Sequence, residues 1–375
     1  MAAYASGNLP GIPLHRLTLS SSGDELAVRR AIDRVFGSGR FVRGREVNEF
    51  EAELAGFLGV EHVVGVASGS DALELSLRAL EVGTGQRVVT VANAGYYATA
   101  AICAVGATPV LVDVNPVDAL IDVELLQRAL SEGVDAVVLT HLYGDASRAP
   151  QVAALCSSAG VPLIEDCAQS VGAEVNGARA GAFGAVAAMS FYPTKNLAAL
   201  GDGGAIVTSD AGLAATVRQR AHHGWDRRFE VVTDGGNSRL DEIQAAILRE
   251  RLPLLDRANG RRRDIWLAYR DAVGGSTAQM VGDATSGSHS VHLAVMTSPN
   301  RDRVRENLRT VGVEADVHYP IPDHHQPLWQ SRFPVPSLPV TEGFAQSVLT
   351  VPCHPTLSDA EVERVASALR VAVMA

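Results

Sequence analysis

One lysine, Lys195, stands inside the stretch Ser190-Phe191-Tyr192-Pro193-Thr194-Lys195-Asn196-Leu197. The small apolar run 185–189 before it predicts a buried strand. Pro193 ends that strand, because proline fixes its own φ and offers no ladder donor. Gly201-Asp202-Gly203-Gly204 and a second apolar run, 205–207, follow. A lysine hemmed in by apolar and glycine-rich sequence is partly desolvated. Desolvation lowers its pKa and leaves an amine able to form a Schiff base. The competing reading is a solvated loop lysine. Lysines are very few here, the basic residues being mostly arginine.

Two further stretches carry chemistry. Ser68-Gly69-Ser70-Asp71 lies between a strand-like run, 63–67, and a helical one, 72–80. Free N–H groups of a helix's first turn, glycine for close approach and serine hydroxyls together make a phosphate seat. The alternative is an ordinary strand-to-helix turn with capping serines. Asp166 closes the run Val161-Pro162-Leu163-Ile164-Glu165-Asp166-Cys167-Ala168-Gln169. It either caps the next helix or faces a cavity and pairs with a cation, such as the protonated ring nitrogen of a pyridoxal cofactor. Glu165 points to the opposite face, because strand side chains alternate. The pair His222-His223 has no third ligand at useful spacing, so no metal is expected.

These residues need elements to hold them. Strand-like runs at 87–92, 109–114, 136–142 and 162–166 alternate with helical runs at 98–104, 123–130 and 149–158. Helices are also expected over 24–36, with Ser22 as cap, and over 46–58, 210–220 and 241–251, the last starting near Ser238 or Asp241; 14–22 is expected to be extended. The alternation predicts a parallel sheet covered on both faces. Ligands of such sheets gather beyond the carboxyl ends of the strands. Those ends carry Ser68, Ser70, Asn93, Tyr96, His141, Asp166, Gln169, Ser190 and Lys195. Composition shifts toward glycine, serine and threonine from 271, and a smaller α+β segment follows. The expected domains are 13–254, a large α/β domain, and 255–375, a small α+β domain.

The 375 residues carry a net charge of -10, which argues against nucleic acid as a partner. The four cysteines show no CxxC pairing. No stretch is apolar enough to span a membrane, and residues 1–11 lack a signal-peptide pattern, so a cytoplasmic setting is expected. The Ser68-Gly69-Ser70 turn lacks the glycine fingerprint of a nicotinamide-binding unit.

In these segments the chain resembles the DegT/StrS-type nucleotide-sugar aminotransferases, which are dimeric pyridoxal phosphate enzymes of fold type I. The resemblance runs from about Pro13 to the C-terminal helix. It rests on the Ser68–Leu73 loop, Asp166-Cys167-Ala168-Gln169, the lysine stretch, Asn237-Ser238-Arg239-Leu240-Asp241-Glu242-Ile243-Gln244-Ala245-Ala246, and His318-Tyr319-Pro320 followed by His324. The resemblance implies a mostly parallel central sheet with pyridoxal 5′-phosphate as cofactor. It implies that Lys195 forms the Schiff base and then carries the proton between substrate Cα and cofactor C4′. Asp166 would pair with the pyridine nitrogen, Gln169 would contact the ring hydroxyl, and Tyr96 would stack on the ring. Gly69, Ser70 and Ser190 would hold the phosphate. Asn237 would reach the phosphate bound by the partner in a homodimer. Tyr319 and His324 would lie on the sugar side. The implied reaction moves an amino group from L-glutamate to a nucleotide-linked keto-6-deoxysugar by a ping-pong mechanism. The stretches 91–97 and 318–327 look most like enzymes aminating C3 of a dTDP-3-keto-6-deoxyhexose. Asn93-Ala94-Gly95 and Ser170 depart from common family residues. A keto-cyclitol aminotransferase and a non-catalytic ligand-binding or regulatory homologue are the alternatives; a dehydratase of this scaffold would carry histidine at Lys195.

Overall fold

The computed structural model describes residues 11–17 and 22–374. Fourteen strands are described: β1 (His62–Val66), β2 (Arg87–Val91), β3 (Thr108–Val112), β4 (Ala136–Thr140), β5 (Leu163–Asp166), β6 (Glu174–Val175), β7 (Ala178–Arg179), β8 (Val186–Ser190), β9 (Gly204–Thr208), β10 (Trp225–Arg227), β11 (Glu230–Val231), β12 (Gln279–Met280), β13 (Ala294–Thr297) and β14 (Val348–Val351). The helices are α1 (Ser22–Ser38), α2 (Arg45–Leu58), α3 (Gly69–Ala79), α4 (Tyr97–Ala104), α5 (Val123–Ser131), α6 (Ala149–Ala159), α7 (Ala211–Arg220), α8 (Glu242–Arg251), α9 (Leu255–Val273), α10 (Arg301–Thr310), α11 (Pro327–Gln330), α12 (Pro339–Ser347) and α13 (Asp359–Met374). The expected cap side chain at Ser22 and the middle of the expected extended run, 18–21, lie outside the described residues.

Seven strands form the central sheet, in the order β1-β9-β8-β5-β4-β2-β3. Six run parallel, and β9 runs against both neighbours, β1 and β8. This is the mostly parallel, helix-covered architecture of fold type I. Strands β4, β8 and β9 are buried at every position, which explains their unbroken apolar runs. Helices α3 and α4 share one apolar core with the sheet, while α5 and α6 share another on the other side. The reversal at β9 makes the lysine stretch the link between antiparallel neighbours, beyond the carboxyl ends of the parallel strands.

The C-terminal part builds its own sheet, β12-β13-β14, against α9, α10 and α13. The packing changes hands inside α9. Leu255 joins the core around Phe50 and Phe191, whereas the stretch from Ile265 joins the C-terminal core.

The end of β5 is organised by its two carboxylates. Glu165 is fully buried on the face away from the cleft. It accepts from the Gly181, Phe183 and Gly184 amides at 3.0, 2.7 and 2.8 Å and lies 2.9 Å from His141 Nε2. Burial alone would raise its pKa, but His141 and these amides overcome that and hold it below the usual carboxylate range. A folded value below the unfolded one means the stabilisation is complete above the unfolded range and lost as pH falls through the folded value. Glu165→Ala strands three amides and an imidazole in the core. We expect a loss of at least about 3 kcal/mol, read by chemical denaturation of the cofactor-free protein near neutral pH.

Candidate active site

A cavity of about 520 Å³ opens beyond the carboxyl ends of the parallel strands. Its wall includes Gly69, Ser70, Asp166, Gln169, Ser190, Lys195 and Tyr319, seven of the ten residues singled out from sequence.

At one end of the cavity α3 begins. Ser68 caps the helix by accepting from the Asp71 amide at 3.1 Å. The next two residues, Gly69 and Ser70, hold first-turn N–H groups with no intrahelical partner. A Cβ on Gly69 would come 2.6 Å from Ser190 Cβ, so glycine is what lets Ser190 and the helix start share one seat. Asp71 faces away, accepting from the Ser68 and Ser238 hydroxyls at 3.0 and 2.5 Å. Ser238 therefore serves the seat, while Asp241 takes the N-cap position of α8. The free amides, two hydroxyls and the helix dipole fit a phosphate.

Opposite the seat, Asp166 is buried and accepts from the Ala168 amide at 3.1 Å and the Thr140 hydroxyl at 3.2 Å. The alternative role, capping a following helix, finds no helix to cap: a turn follows Asp166, the Ala168 contact belongs to that turn, and the carboxylate stands on the cavity wall. Burial raises the Asp166 pKa; the Ala168 amide, Lys195, Thr140 and His141 oppose that rise. A buried carboxyl of this kind fits a cationic partner in the cavity.

Lys195 is the only lysine in the sequence. Its backbone amide donates to Tyr192 O at 2.8 Å. Desolvation lowers the ammonium pKa to about 8 against the opposing pull of Asp166. Asn196 anchors the loop, donating to Asn259 Oδ1 at 2.8 Å and Ser290 O at 3.0 Å, with its own carbonyl 3.1 Å from His292 Nδ1. Gln169 is held by the Tyr143 amide at 2.7 Å and donates to the Tyr319 hydroxyl at 3.3 Å. The Tyr143 hydroxyl in turn donates to His318 O at 2.6 Å.

Two expected placements differ. Tyr97, not Tyr96, lines the cavity. Gly95 and Tyr96 both take positive φ, 78° and 71°, so the backbone turns sharply just before α4. The Tyr96 hydroxyl is instead buried without a partner. His324 is also away from the cavity: it is fully buried, with Nε2 3.2 Å from Glu342. Asn237 is exposed and outside this chain's own cavity, its backbone bridging to His222.

Sequence reasoning missed Tyr97, His15, Thr140, His292 and His318 on the wall or beside it, and Asp323 behind it. Asp323 accepts from the Tyr96 amide at 2.9 Å and Thr99 Oγ1 at 2.5 Å, tying the Tyr319 segment to the start of α4. Burial pushes its carboxyl up to about 7, with Thr99 and the Tyr96 amide pulling down. Thr140 could have been found, since it ends a strand beside Asp166. His15 and His292 return from distant sequence with no local signal, whereas His318 and Asp323 lie in the 318–327 stretch beside Tyr319 and His324.

The geometry agrees with the comparisons. The model of the DegT/DnrJ/EryC1/StrS aminotransferase family matches residues 24–370. The dTDP-3-amino-3,4,6-trideoxy-alpha-D-glucose transaminase of Streptomyces venezuelae is 38% identical over 365 residues, 96% of each chain. The crystal structure of S. venezuelae DesV in complex with a ketimine intermediate superposes with a TM-score of 0.92 at 37% identity, covering 97% of this chain and 98% of the other. NtdA from Bacillus subtilis, solved with bound cofactor PMP, superposes at 0.90 with 27% identity, covering 99% and 87%. The chain belongs to the DegT/DnrJ/EryC1/StrS aminotransferase family, and its cleft fits pyridoxal 5′-phosphate, with a phosphate seat at Ser68–Ser70, a buried carboxylate at Asp166 and an activated amine at Lys195.

Proposed function

We propose that this aminotransferase moves an amino group from L-glutamate to C3 of a dTDP-linked 3-keto-6-deoxyhexose in two half-reactions. The observation that carries the chemistry is Lys195, with its lowered pKa, in one cavity with the phosphate seat and Asp166. The sugar assignment is supported by the 38% identity to the S. venezuelae transaminase over nearly the whole chain. Among the described residues no helix is long and apolar enough to cross a membrane, and the reading sets the reaction in the cytoplasm.

When bound, pyridoxal phosphate supplies an electron sink for the bond-breaking step. The chain's own groups do the rest. The Gly69 and Ser70 amides with the Ser190 hydroxyl would hold the phosphate, and Asp166 would keep a proton on the ring nitrogen. Gln169 would bind the ring hydroxyl and Tyr97 would wall the ring. Lys195 Nζ would take a proton from the donor Cα and return one to the acceptor carbon. An amine with a pKa near 8 suits both directions near neutral pH. Tyr319 would meet the sugar. We infer a homodimer in which Asn237 reaches the partner's phosphate seat. Its support is that Asn237 is exposed, near the β10–β11 hairpin whose Phe229 and Val231 are 72% and 64% exposed.

Visible absorbance tests the first half-reaction. The wild-type protein with pyridoxal phosphate is expected to show a lysine-bound cofactor band that L-glutamate bleaches, and Lys195→Ala is expected to show neither. A wild-type protein without the band would overturn the reading. In the cofactor-free protein, acylation of Lys195 read by peptide mass should be half-maximal near pH 8, where the amine loses its proton; a midpoint above 10 would contradict the desolvation argument. Tyr97→Ala is expected to weaken cofactor binding by roughly 2- to 10-fold, the worth of a ring contact, while Tyr96→Phe leaves it unchanged. The reverse pattern would restore Tyr96 to the wall.

A further inference from the structure

The segment that brings Tyr319 to the cleft is fastened from behind by one residue. Asp323 is 1% exposed, and three of its hydrogen bonds run to the stretch 92–99. Its amide donates to Ala92 O at 2.8 Å. Its carboxylate accepts from the Tyr96 amide at 2.9 Å and from Thr99 Oγ1 at 2.5 Å.

Helix α4 lacks a cap of its own. Tyr96 takes the N-cap position at φ 71°, its side chain bonds nothing in the first turn, and that turn holds no acidic residue. A helix start carries unmet N–H groups and a partial positive charge. Asp323 supplies the acceptor and the negative charge from a segment 227 positions away in the chain.

Two side chains of the cleft depend on this joint. Tyr97 opens α4, and Tyr319 precedes Asp323 on the same short segment; both line the cavity. A Cβ on Gly95 would come 2.9 Å from the Tyr319 ring and 3.1 Å from the Tyr97 ring, so both rings rest on one glycine. The gap between them is set by how the 319–323 segment seats on 95–99. Asp323 has no counter-ion there. Burial raises its carboxyl to about 7, and among the described residues only Thr99 and the Tyr96 amide pull it down. The titratable side chains facing it are Tyr96 and Tyr319, both raised by burial. Other nearby groups are turned elsewhere: Cys103 and Arg332 act on Tyr96, and Glu342, His325 and Asp113 act on His324.

We propose that Asp323 is a positioning residue for the acceptor sugar: seated as a carboxylate on the start of α4, it holds Tyr97 and Tyr319 at the separation that admits the sugar ring, and when neutral it lets that gap slacken. This rests on the sugar-aminotransferase reading. A tyrosine pairs an apolar ring with a phenol, which suits the C–H faces and hydroxyls of a hexose. An ionised carboxylate accepts on both oxygens; once protonated, one oxygen becomes a donor and the Tyr96 bond loses its charge assistance. L-glutamate reacts at Lys195, and the bonds of Asp323 reach neither Lys195, Asp166 nor the Ser68–Ser70 seat, so the donor half-reaction does not depend on the joint.

Both half-reactions can be read on one signal. In the enzyme loaded with pyridoxal phosphate, L-glutamate and a dTDP-3-amino-3,6-dideoxyhexose should each bleach the lysine-bound cofactor band, the second by running the sugar half-reaction backwards. Asp323→Asn keeps the shape and removes the charge. Near pH 8 its half-saturating amino-sugar concentration is expected to rise roughly 3- to 10-fold, the worth of one hydrogen bond, with that of L-glutamate unchanged. Cofactor content and thermal midpoint serve as controls for folding. The variant-to-wild-type ratio cancels the titration of Lys195 and of the substrates, and it should fall toward one near pH 6, where the wild-type carboxyl carries its own proton. Thr99→Val removes a bond that holds this carboxyl down, so its loss of amino-sugar affinity on acidification should begin at higher pH than in the wild type. If Asp323→Asn does not fold, that shift decides. A ratio level with pH, an equal loss for L-glutamate, or an unmoved profile in Thr99→Val would each overturn the proposal. A wild-type band that L-glutamate bleaches and none of these amino sugars does would instead remove the sugar reading beneath it.

Discussion

Adjacent side chains of a strand face opposite ways, and the end of β5 uses this to do two jobs with two neighbouring carboxylates. Glu165 turns into the protein and gathers the 181–184 turn and His141. That turn leads directly into β8, and β8 carries Ser190 and the lysine loop. Asp166 turns into the cleft. A slip of one residue in β5 would exchange them, turning Asp166 into the core and Glu165 toward the cleft, away from the amides and imidazole it gathers. The register of one four-residue strand thus sets both the support of the lysine loop and the electrostatics of the site.

Much of the site was legible because α/β sheets collect ligands at strand ends, and strand ends can be read from apolar runs. Ser70, Asp166, Gln169, Ser190 and Lys195 were found that way, and the structure brings all five to one cavity. Tyr96 lies off the wall of this chain's cavity, next to two consecutive positive-φ residues of which only one is glycine, a turn that apolar runs do not announce. His324 failed for another reason: motif position says where a residue lies along the chain, and not whether its ring faces the cavity or the protein interior. Arg262 lies in the run Arg261-Arg262-Arg263, whose composition alone suits a solvated helix face. Of the three, Arg262 alone is deeply buried, a distinction made by the turn of α9 against β13 and β14 rather than by composition.

The fold also explains why the lysine can be partly desolvated without collapsing onto the protein. Asn196 fixes the loop from behind through Asn259 and Ser290, and the Tyr192 carbonyl holds its turn. The side chain is left on the wall of the cleft. Position is supplied by neighbours in sequence, and the lowered pKa by burial against the opposing pull of Asp166.

Lys195 and Asp166 are both held away from water in the cleft, where burial works against the charged form of each. Such a site is a local weakness of the ligand-free chain. Occupancy repairs it, so binding and folding draw on one free energy: a ligand at a hundred times its dissociation constant adds about 2.7 kcal/mol to the stability of the native state. The groups that line it come from 68–70, 166–169, 190–195 and 319, a long span of the chain. Ligand occupancy therefore acts as a cross-link between distant segments, and the ratio of loaded to empty enzyme sets how long each molecule survives proteolysis.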